Sequence, residues 1–413
     1  MTFNKRITTA IATGAVLVNA LAPVAFANTL TVSGNGATSN SAVNVTNSSN
    51  AVVNQTNNAN ITNNVSSNAT TGDNSSNFNT GGNTTIRTGN ANNTVNVTNA
   101  ANLNQASLSN CASCNGGATN VTVSGNGAFS DNDGSVNNTS NVFLNQNNAA
   151  NFDNNVTANS TTGANDASYN TGGDSVILTG NARNTVGVSN EANANVAQLG
   201  GSNGTAGSAS LIIKDNGAFS DNSVALNHNS AVVLGQSNDA TISNDVDANA
   251  KTGNNSSQFN TGGFTGISTG NATDKVNVDN MANFNAASLD CGCVLDGTNV
   301  KVAGNGAESE NSVDAAANNA VFNDQANSAD LGNNVNGDAK TGSNDLGFST
   351  GDVTGDPVIY TGVSNSTTGV NNSGNVNVLG NGGTTMHLPW NNTEVGTSFD
   401  LSGLWTLLHG WMA

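Results

Sequence analysis

Small apolar residues alternate with polar ones along most of the chain. Val43 and Val45 are separated by one polar residue, and Val95 and Val97 repeat the arrangement. A period of two built on Val and Ile predicts strands, and a high density of Asn and Gly opposes helix. Asn-Gly and Thr-Gly pairs between the apolar runs predict tight turns. The pattern therefore predicts an all-β chain.

The pattern recurs four times, with successive copies offset by 91, 90 and 89 residues, and the last two markers of the fourth copy come three residues late. Five markers keep their order in every copy. They begin as follows: Asn-Gly at Asn35, Asn126, Asn216 and Asn305; Gln-x-Asn-x-Ala at Gln55, Gln146, Gln236 and Gln325; Thr-Gly at Thr71, Thr162, Thr252 and Thr341; Thr-Gly-Asn-Ala at Thr88, Thr179 and Thr269, degraded at Thr361; and Val-x-Asn-x-x-Asn-x-Asn at Val97, Val188, Val278 and Val370. The markers predict repeat units at 28–118, 119–208, 209–297 and 298–380, followed by a different segment at 381–413.

Shorter spacings predict how each unit winds. Gly72 and Gly89 lie 17 residues apart, and the sequence around Val43 returns 52 residues later at Val95. A coil of about 18 residues fits both spacings, so the four units predict an elongated β-solenoid of about 20 coils. Four β-sandwich domains in tandem are the alternative. Unit 1 contains a single aromatic residue, Phe78, which favours a narrow solenoid core over a sandwich core. Full disorder is a third alternative, opposed by the periodic Val and Ile.

Stacked coils would align equivalent polar side chains. An Asn or Gln amide can donate to one neighbour in such a column and accept from the other. The chain has 83 asparagines, and a ladder gives this composition a physical purpose. The predicted ladder positions are Gln55, Gln146, Gln236, Gln325, Asn63, Asn154, Asn244 and Asn333.

Charge limits the possible functions. Nine Lys and Arg stand against 27 Asp and Glu, for a formal net charge of -18. A nucleic-acid partner is not expected, because binding phosphates requires clustered cations. A polysaccharide lyase or hydrolase on a parallel β-helix is the enzyme alternative, but no recurring carboxylate pair accompanies Arg87 or Arg183. We therefore predict no catalytic residue, no metal site and no cofactor. The increase in acidic residues towards unit 4 indicates a solvated face.

The N-terminus has the pattern of a cleaved signal peptide at residues 1–27. Lys5 and Arg6 precede an uncharged, largely apolar stretch, and Ala25-Phe26-Ala27 matches a cleavage site. The expected location is therefore extracellular or at the cell surface.

Four cysteines lie at the ends of units 1 and 3. Cys111 and Cys114 form a C-x-x-C pair, and Cys291 and Cys293 form a C-x-C pair. Local disulfides suit an exported protein. Cross-linking between chains and a metal or redox role are the alternatives. A C-x-C disulfide is strained, so Cys291 and Cys293 are the better candidates for linking chains.

The last segment differs in kind from the repeats. It holds all three tryptophans, Trp390, Trp405 and Trp411. Repeat proteins need a cap over their last coil, and the segment is predicted to cap the stack or to anchor it to a partner or a membrane surface.

The Gln-x-Asn-x-Ala blocks and the Asn-rich alternating strands resemble curlin-type repeats, the units of bacterial surface fibres, and other Asn- and Gly-rich repeat proteins exported by bacteria. This resemblance implies a secreted structural role and transfers no catalytic residue. We therefore expect a structural or adhesive surface protein, a fibre or matrix subunit that associates with itself or with surface components. The alternative is a surface module that binds a glycan, a cation or ice through a flat repetitive face. Membrane contact is expected only through the C-terminal segment.

Overall fold

A computed structural model describes most of the chain as strands. The described residues are 6–9, 15–19, 28–108, 118–199, 208–289, 297–350, 356–380, 386–387 and 394–395. No helix occurs among them, which confirms the prediction of an all-β chain. In these ranges there is also no helix that could cross a membrane.

The strands fall into four successive groups, which we call layers 1 to 4. Layer 1 contains β3 (Asn28–Ser33), β4 (Asn40–Gly72), β5 (Thr84–Arg87) and β6 (Ala91–Leu108). Layer 2 contains β7 (Thr119–Ser124), β8 (Asp131–Gly163), β9 (Ser175–Leu178) and β10 (Ala182–Leu199). Layer 3 contains β11 (Ala209–Lys214), β12 (Asp221–Gly253), β13 (Ser256–Gln258), β14 (Thr265–Ser268) and β15 (Ala272–Leu289). Layer 4 contains β16 (Thr298–Ala303), β17 (Glu310–Lys340), β18 (Asp345–Gly347), β19 (Val358–Tyr360) and β20 (Ser364–Gly380).

Each strand of a layer pairs in parallel with its counterpart in the next layer. The longest sheet runs β4-β8-β12-β17 from layer 1 to layer 4, and a second sheet runs β6-β10-β15-β20 in the same direction. The register follows the sequence repeat: Gln55 pairs with Gln146, Gln146 with Gln236, and Gln236 with Gln325. No two described strands of one repeat pair in antiparallel orientation, as a sandwich would require. The parallel sheets give the chain the architecture of a β-solenoid.

Each layer has two walls that face one another. The long strand, 33 residues in layer 1, forms one wall. The opposite wall runs back along it, because Val65 packs near Val95 while Val53 packs near Leu108. The short first strand extends the second wall, with Leu30 packed near Val45. At about 3.3 Å per residue the long wall extends roughly 110 Å.

The predicted coil of about 18 residues is wrong, because the paired residues lie about 90 positions apart and one layer is one whole repeat. The 17-residue spacing has another origin: it spans the turn that joins the two walls, where the Thr71 hydroxyl donates to the Gly89 carbonyl at 2.9 Å. The similar sequences around Val43 and Val95 lie on the two walls of one layer, since Val43 is in β4 and Val95 is in β6. Four layers at about 4.8 Å replace the predicted rod of 20 coils with a plate about 19 Å thick.

Two sequence markers specify which side chains enter the layer. The first marker, at Gln55, Asn57 and Ala59, lies within an alternation in which every second side chain of the long strand points inward. In β6 the same alternation is interrupted at Asn102, whose φ of 66° places it in the left-handed region. This bulge lets Asn99 and Asn104, at positions of opposite parity, both be fully buried. It accounts for the double spacer in the Val-x-Asn-x-x-Asn-x-Asn marker.

Four short strands lie outside the layers. They are β1 (Arg6–Thr9), β2 (Ala15–Asn19), β21 (Met386–His387) and β22 (Glu394–Val395). Both β1 and β2 lie within the predicted signal peptide and pair in parallel with the outer edge of β6. The strands β21 and β22 pair with each other in antiparallel orientation.

Candidate functional site: polar columns and two end layers

The predicted ladder positions form two polar columns that cross all four layers. In the Gln column, the Nε2 of Gln146 donates to the Oε1 of Gln55 at 2.7 Å, and Gln236 and Gln325 continue it at 2.8 and 2.6 Å. In the Asn column, the Nδ2 of each residue donates towards layer 4, through Asn63, Asn154, Asn244 and Asn333, at 2.7 to 2.8 Å. Because a side-chain amide both donates and accepts, every interior residue of a column has a donor on one side and an acceptor on the other.

The Asn columns also hold the two walls together. Asn154 receives hydrogen bonds from Asn63 and Asn99 and donates to Asn190 and Asn244, at 2.7 to 3.1 Å. Its side chain is fully buried. A buried polar group costs free energy unless it is hydrogen-bonded, so the network fixes both the register of the layers and the pairing of the walls.

An aromatic column runs along the outside of the turn that joins the walls. Its rings are Phe78, Tyr169, Phe259 and Phe348, with centroids 4.9 to 5.0 Å apart and planes within 9° of parallel. The first and last rings are about three-quarters exposed, because only one face of each is covered. Stacked rings therefore end in an open face at both ends of the layers.

Asp274 interrupts one of the buried columns. Its counterparts Asn93 and Asn184 donate to backbone carbonyls, Asn184 to Ala158 at 3.1 Å and to Asn249 at 2.6 Å. Asp274 is 1% exposed, and neither carboxylate oxygen has a hydrogen-bond partner in normal geometry. Burial raises the pKa of this carboxyl to about 6, and the nearby Asn184 amide lowers it only in part.

The other perturbed groups do not converge on a reaction centre. Burial raises the pKa of Glu191, with a smaller contribution from the Asp279 charge, and burial lowers the pKa of His228. Among the described residues, no group of three or more His, Cys, Asp or Glu side chains could hold a metal ion.

The outward-facing amide columns along the two walls run in one direction, whereas at the turn Asn77 donates to Asp166 at 2.7 Å and Gln258 donates to Asp345, both towards layer 4. Asn141 donates to Asn50, Asn227 to Asn137, and Asn318 to Asn229, at 2.8 to 2.9 Å. In each of these three wall pairs the donor belongs to the layer nearer layer 4. The outward columns along the walls consequently end in amide groups on layer 1 and in acceptors on layer 4.

The two end layers present unpaired strand edges. Among the described strands, β4 pairs only with β8, and β17 pairs only with β12. Layer 1 (28–108) carries one acidic and one basic residue, Asp73 and Arg87. The described part of layer 4 carries two lysines against eight acidic residues, which are Glu308, Glu310, Asp314, Asp324, Asp330, Asp338, Asp345 and Asp356. One end of the molecule is neutral and rich in amides, and the other is acidic.

Some of the predicted site residues lie within the described part of the chain and others lie outside it. The eight ladder residues lie in the columns above. Cys111, Cys114, Cys291 and Cys293, and Trp390, Trp405 and Trp411, lie outside the described residues. With about five 18-residue coils in each unit, the predicted solenoid would separate the two cysteine pairs by about ten coils. The preceding strands instead end at Leu108 and Leu289, which are two layers apart in one sheet.

Sequence reasoning missed the relation between the two end layers. The increase in acidity towards unit 4 was the available signal. That increase can be interpreted only with the strand register, which shows which layer-1 residue lies in the same column as each acidic residue of layer 4. No family model matches the sequence, and neither a curated protein nor a solved structure is significantly similar to it.

Proposed function

We propose that the chain is the structural subunit of an extracellular fibre in which copies stack layer on layer. The unpaired edges of β4 and β17 carry the proposal, because they have the same register positions as the paired edges inside the molecule. A second copy placed on either end would continue the sheet of β4 and β17, and it would continue the sheet of β6 once β1 and β2 no longer cover that edge. Long, flat edge strands without proline are the edges on which strand addition occurs.

The size of the end surface supports a stable junction. The strands of layer 1 include 61 residues. A face roughly 110 Å long, with two walls about 10 Å apart, covers about 1,100 Å². This exceeds the ~800 Å² per partner of a standard protein interface. The stacked layers form a rigid, repetitive material, which suits a mechanical role at the cell surface.

Electron microscopy and fibre diffraction of the purified protein test this function. We expect filaments at least about 110 Å across, a 4.8 Å reflection along the axis, and an axial subunit repeat of about 19 Å from four layers. Discrete plates about 19 Å thick at every concentration would refute fibre formation. Four separate beads would refute the stacked layers themselves.

A ligand-binding surface module is the second candidate, favoured by the exposed aromatic column. Its ring edges are spaced regularly at about 5 Å, and exposed aromatics commonly contact sugars and other flat ligands. Replacing Phe78, Tyr169, Phe259 and Phe348 with Ala should abolish glycan-array binding if this function is correct. Unchanged binding, or none by the unmodified protein, would exclude this column as the site.

A further inference from the structure

We propose that copies join with a single polarity, the acidic end of layer 4 docking on the amide-rich end of layer 1 of the next copy. The partner is thus a second copy of this chain. The contact would consist of outward Asn side chains donating charge-assisted hydrogen bonds to carboxylates. This inference rests on the proposed fibre function and adds the faces, register and direction of the junction.

Acidic residues of layer 4 and polar residues of layer 1 occupy the same columns. The register through layers 2 and 3 connects Asp314 to Asn44, Asp324 to Asn54, and Asp330 to Asn60. Three further columns behave alike, relating Glu310 to Asn40, Asp338 to Asn68, and Asp345 to Ser75. In head-to-tail stacking, every one of these carboxylates would therefore face a hydrogen-bond donor.

The molecule already uses this contact between its own layers 3 and 4. The Nδ2 of Asn334 donates to Asp245, that of Asn336 to Asp247, and that of Asn371 to Asp279, each at 3.0 Å. The order is the same as in the proposed junction, where a carboxylate lies in the first layer and an amide in the following one. Hydrogen bonds to an ionised acceptor are stronger than those between neutral groups.

The direction of the outward amide columns along the walls favours this polarity. Their amides donate towards layer 1, so the free donors of a copy lie on layer 1 and the free acceptors on layer 4. A carboxylate is an acceptor without a competing donor. Carboxylates are therefore suited to layer 4, which is the end that has to accept hydrogen bonds at the junction.

Charge excludes the junction of two layer-4 ends. That contact would oppose two layers with eight acidic residues and two lysines each. At a head-to-tail junction, the two charges of layer 1 would face neutral residues. Register places Arg87 opposite Tyr360, and the backbone bonds of the turn place Asp73 opposite Ser343. Within the described layers, Asp131, Asp221 and Glu310 form the one column that stacks carboxylates, and Asn40 would follow Glu310 across the junction.

An inward column supplies an independent observation. Asn74 donates to Asn165, Asn165 to Asn255, and Asn255 to Asn344, at 2.8 to 3.0 Å. The column ends at the Nδ2 of Asn344, a buried donor without a partner. In the proposed register, the next acceptor is the Oδ1 of Asn74 in the following copy. Head-to-tail docking thus satisfies a buried group that the single copy leaves unpaired.

A triple substitution that reverses the chemistry of layer 1 tests the junction. The variant N44D/N54D/N60D would place three carboxylates opposite Asp314, Asp324 and Asp330. Like charges about 4.8 Å apart repel even in water, and three pairs should lower the association constant by roughly a hundredfold. We expect fibre growth, followed by two-colour fluorescence microscopy, to be lost at about 0.05 M salt and partly restored near 1 M.

The matched control is N137D/N145D/N151D, which adds the same charge to outward positions of layer 2 that face no acidic residue in the next layers. It should form fibres like the unmodified chain. Combining the layer-1 variant with D314N/D324N/D330N should restore growth by removing the repulsion. Circular dichroism and sedimentation establish that each variant folds. All forms are examined as the full chain and as the chain beginning at Asn28.

The outcomes separate the two proposals. Normal growth of N44D/N54D/N60D at low salt would overturn the polarity while leaving the fibre function intact. Loss of growth that the compensating substitutions do not restore would also overturn it. Absence of fibres from the unmodified protein in both chain forms would overturn both proposals.

Discussion

Replacing Asp274 with Asn should stabilise the protein at neutral pH. Asp274 stands in a column where Asn184 of the neighbouring layer donates two hydrogen bonds to carbonyls. By register, the carbonyls at the same places around residue 274 belong to Ala248 and Asp338. An ionised carboxylate cannot donate to these carbonyls, and the Asn184 amide and the backbone groups of Ala250 and Asp338 only partly offset its burial, whereas the amide of the D274N variant could donate to both carbonyls.

The size of the effect follows from the carboxyl group's proton affinity. Burial raises the pKa of Asp274 from 3.8 to about 6 in the folded protein. Because the folded-state pKa lies above the unfolded one, ionisation destabilises the fold, fully above about pH 6 and progressively less as the pH falls towards 4. Two pKa units correspond to about 3 kcal/mol. We therefore expect D274N to raise the free energy of unfolding by about 3 kcal/mol at pH 7.5 and by about 0.5 kcal/mol at pH 4.

Guanidinium titrations followed by circular dichroism measure this difference, on dilute protein shown to be monomeric by sedimentation. D239N is the matched control, because Asp239 is exposed and the substitution removes the same charge. It should change the free energy of unfolding by less than about 0.5 kcal/mol at either pH. A D274N variant that is no more stable at pH 7.5, or whose advantage persists unchanged at pH 4, would refute the reasoning.

Three further outcomes are expected. N154L should lower the free energy of unfolding by about 3 kcal/mol or more in a denaturant titration, because it leaves the buried partners of Asn154 without a hydrogen bond. N151A, at an exposed position, should lower it by under about 0.5 kcal/mol. Equal losses would contradict the role of the buried network. G163A should lower the free energy of unfolding by at least about 4 kcal/mol or prevent folding. The φ angle of Gly163 is 112°, and an added Cβ would lie 1.8 Å from a backbone oxygen of the next layer. G36A, with open space around it, is the control and should fold normally. A chain beginning at Asn28 should form fibres faster than the full chain, because it lacks β1 and β2 on the outer edge of β6; equal lag times in a light-scattering assay would contradict this.

The repeat and the local strand conformation follow from the amino-acid sequence alone. Alternating Val and Asn fixed the strands, because a period of two places one set of side chains inward whatever they pack against. The spacing of Gln55, Gln146, Gln236 and Gln325 also determined which residues could stack, since only in-register columns let each amide find an identical partner.

The number of residues in one layer, in contrast, depends on long-range strand pairing. The 17-residue separation of Gly72 and Gly89 is compatible with a short coil and equally with a turn between two walls. The Thr71 hydroxyl bond to Gly89 assigns it to the turn. Short-range spacing measures distance along the chain, while strand pairing is a long-range choice made by burying both walls together. The same long-range register relates Asp330 to Asn60, 270 residues away, and no local pattern contains that pairing.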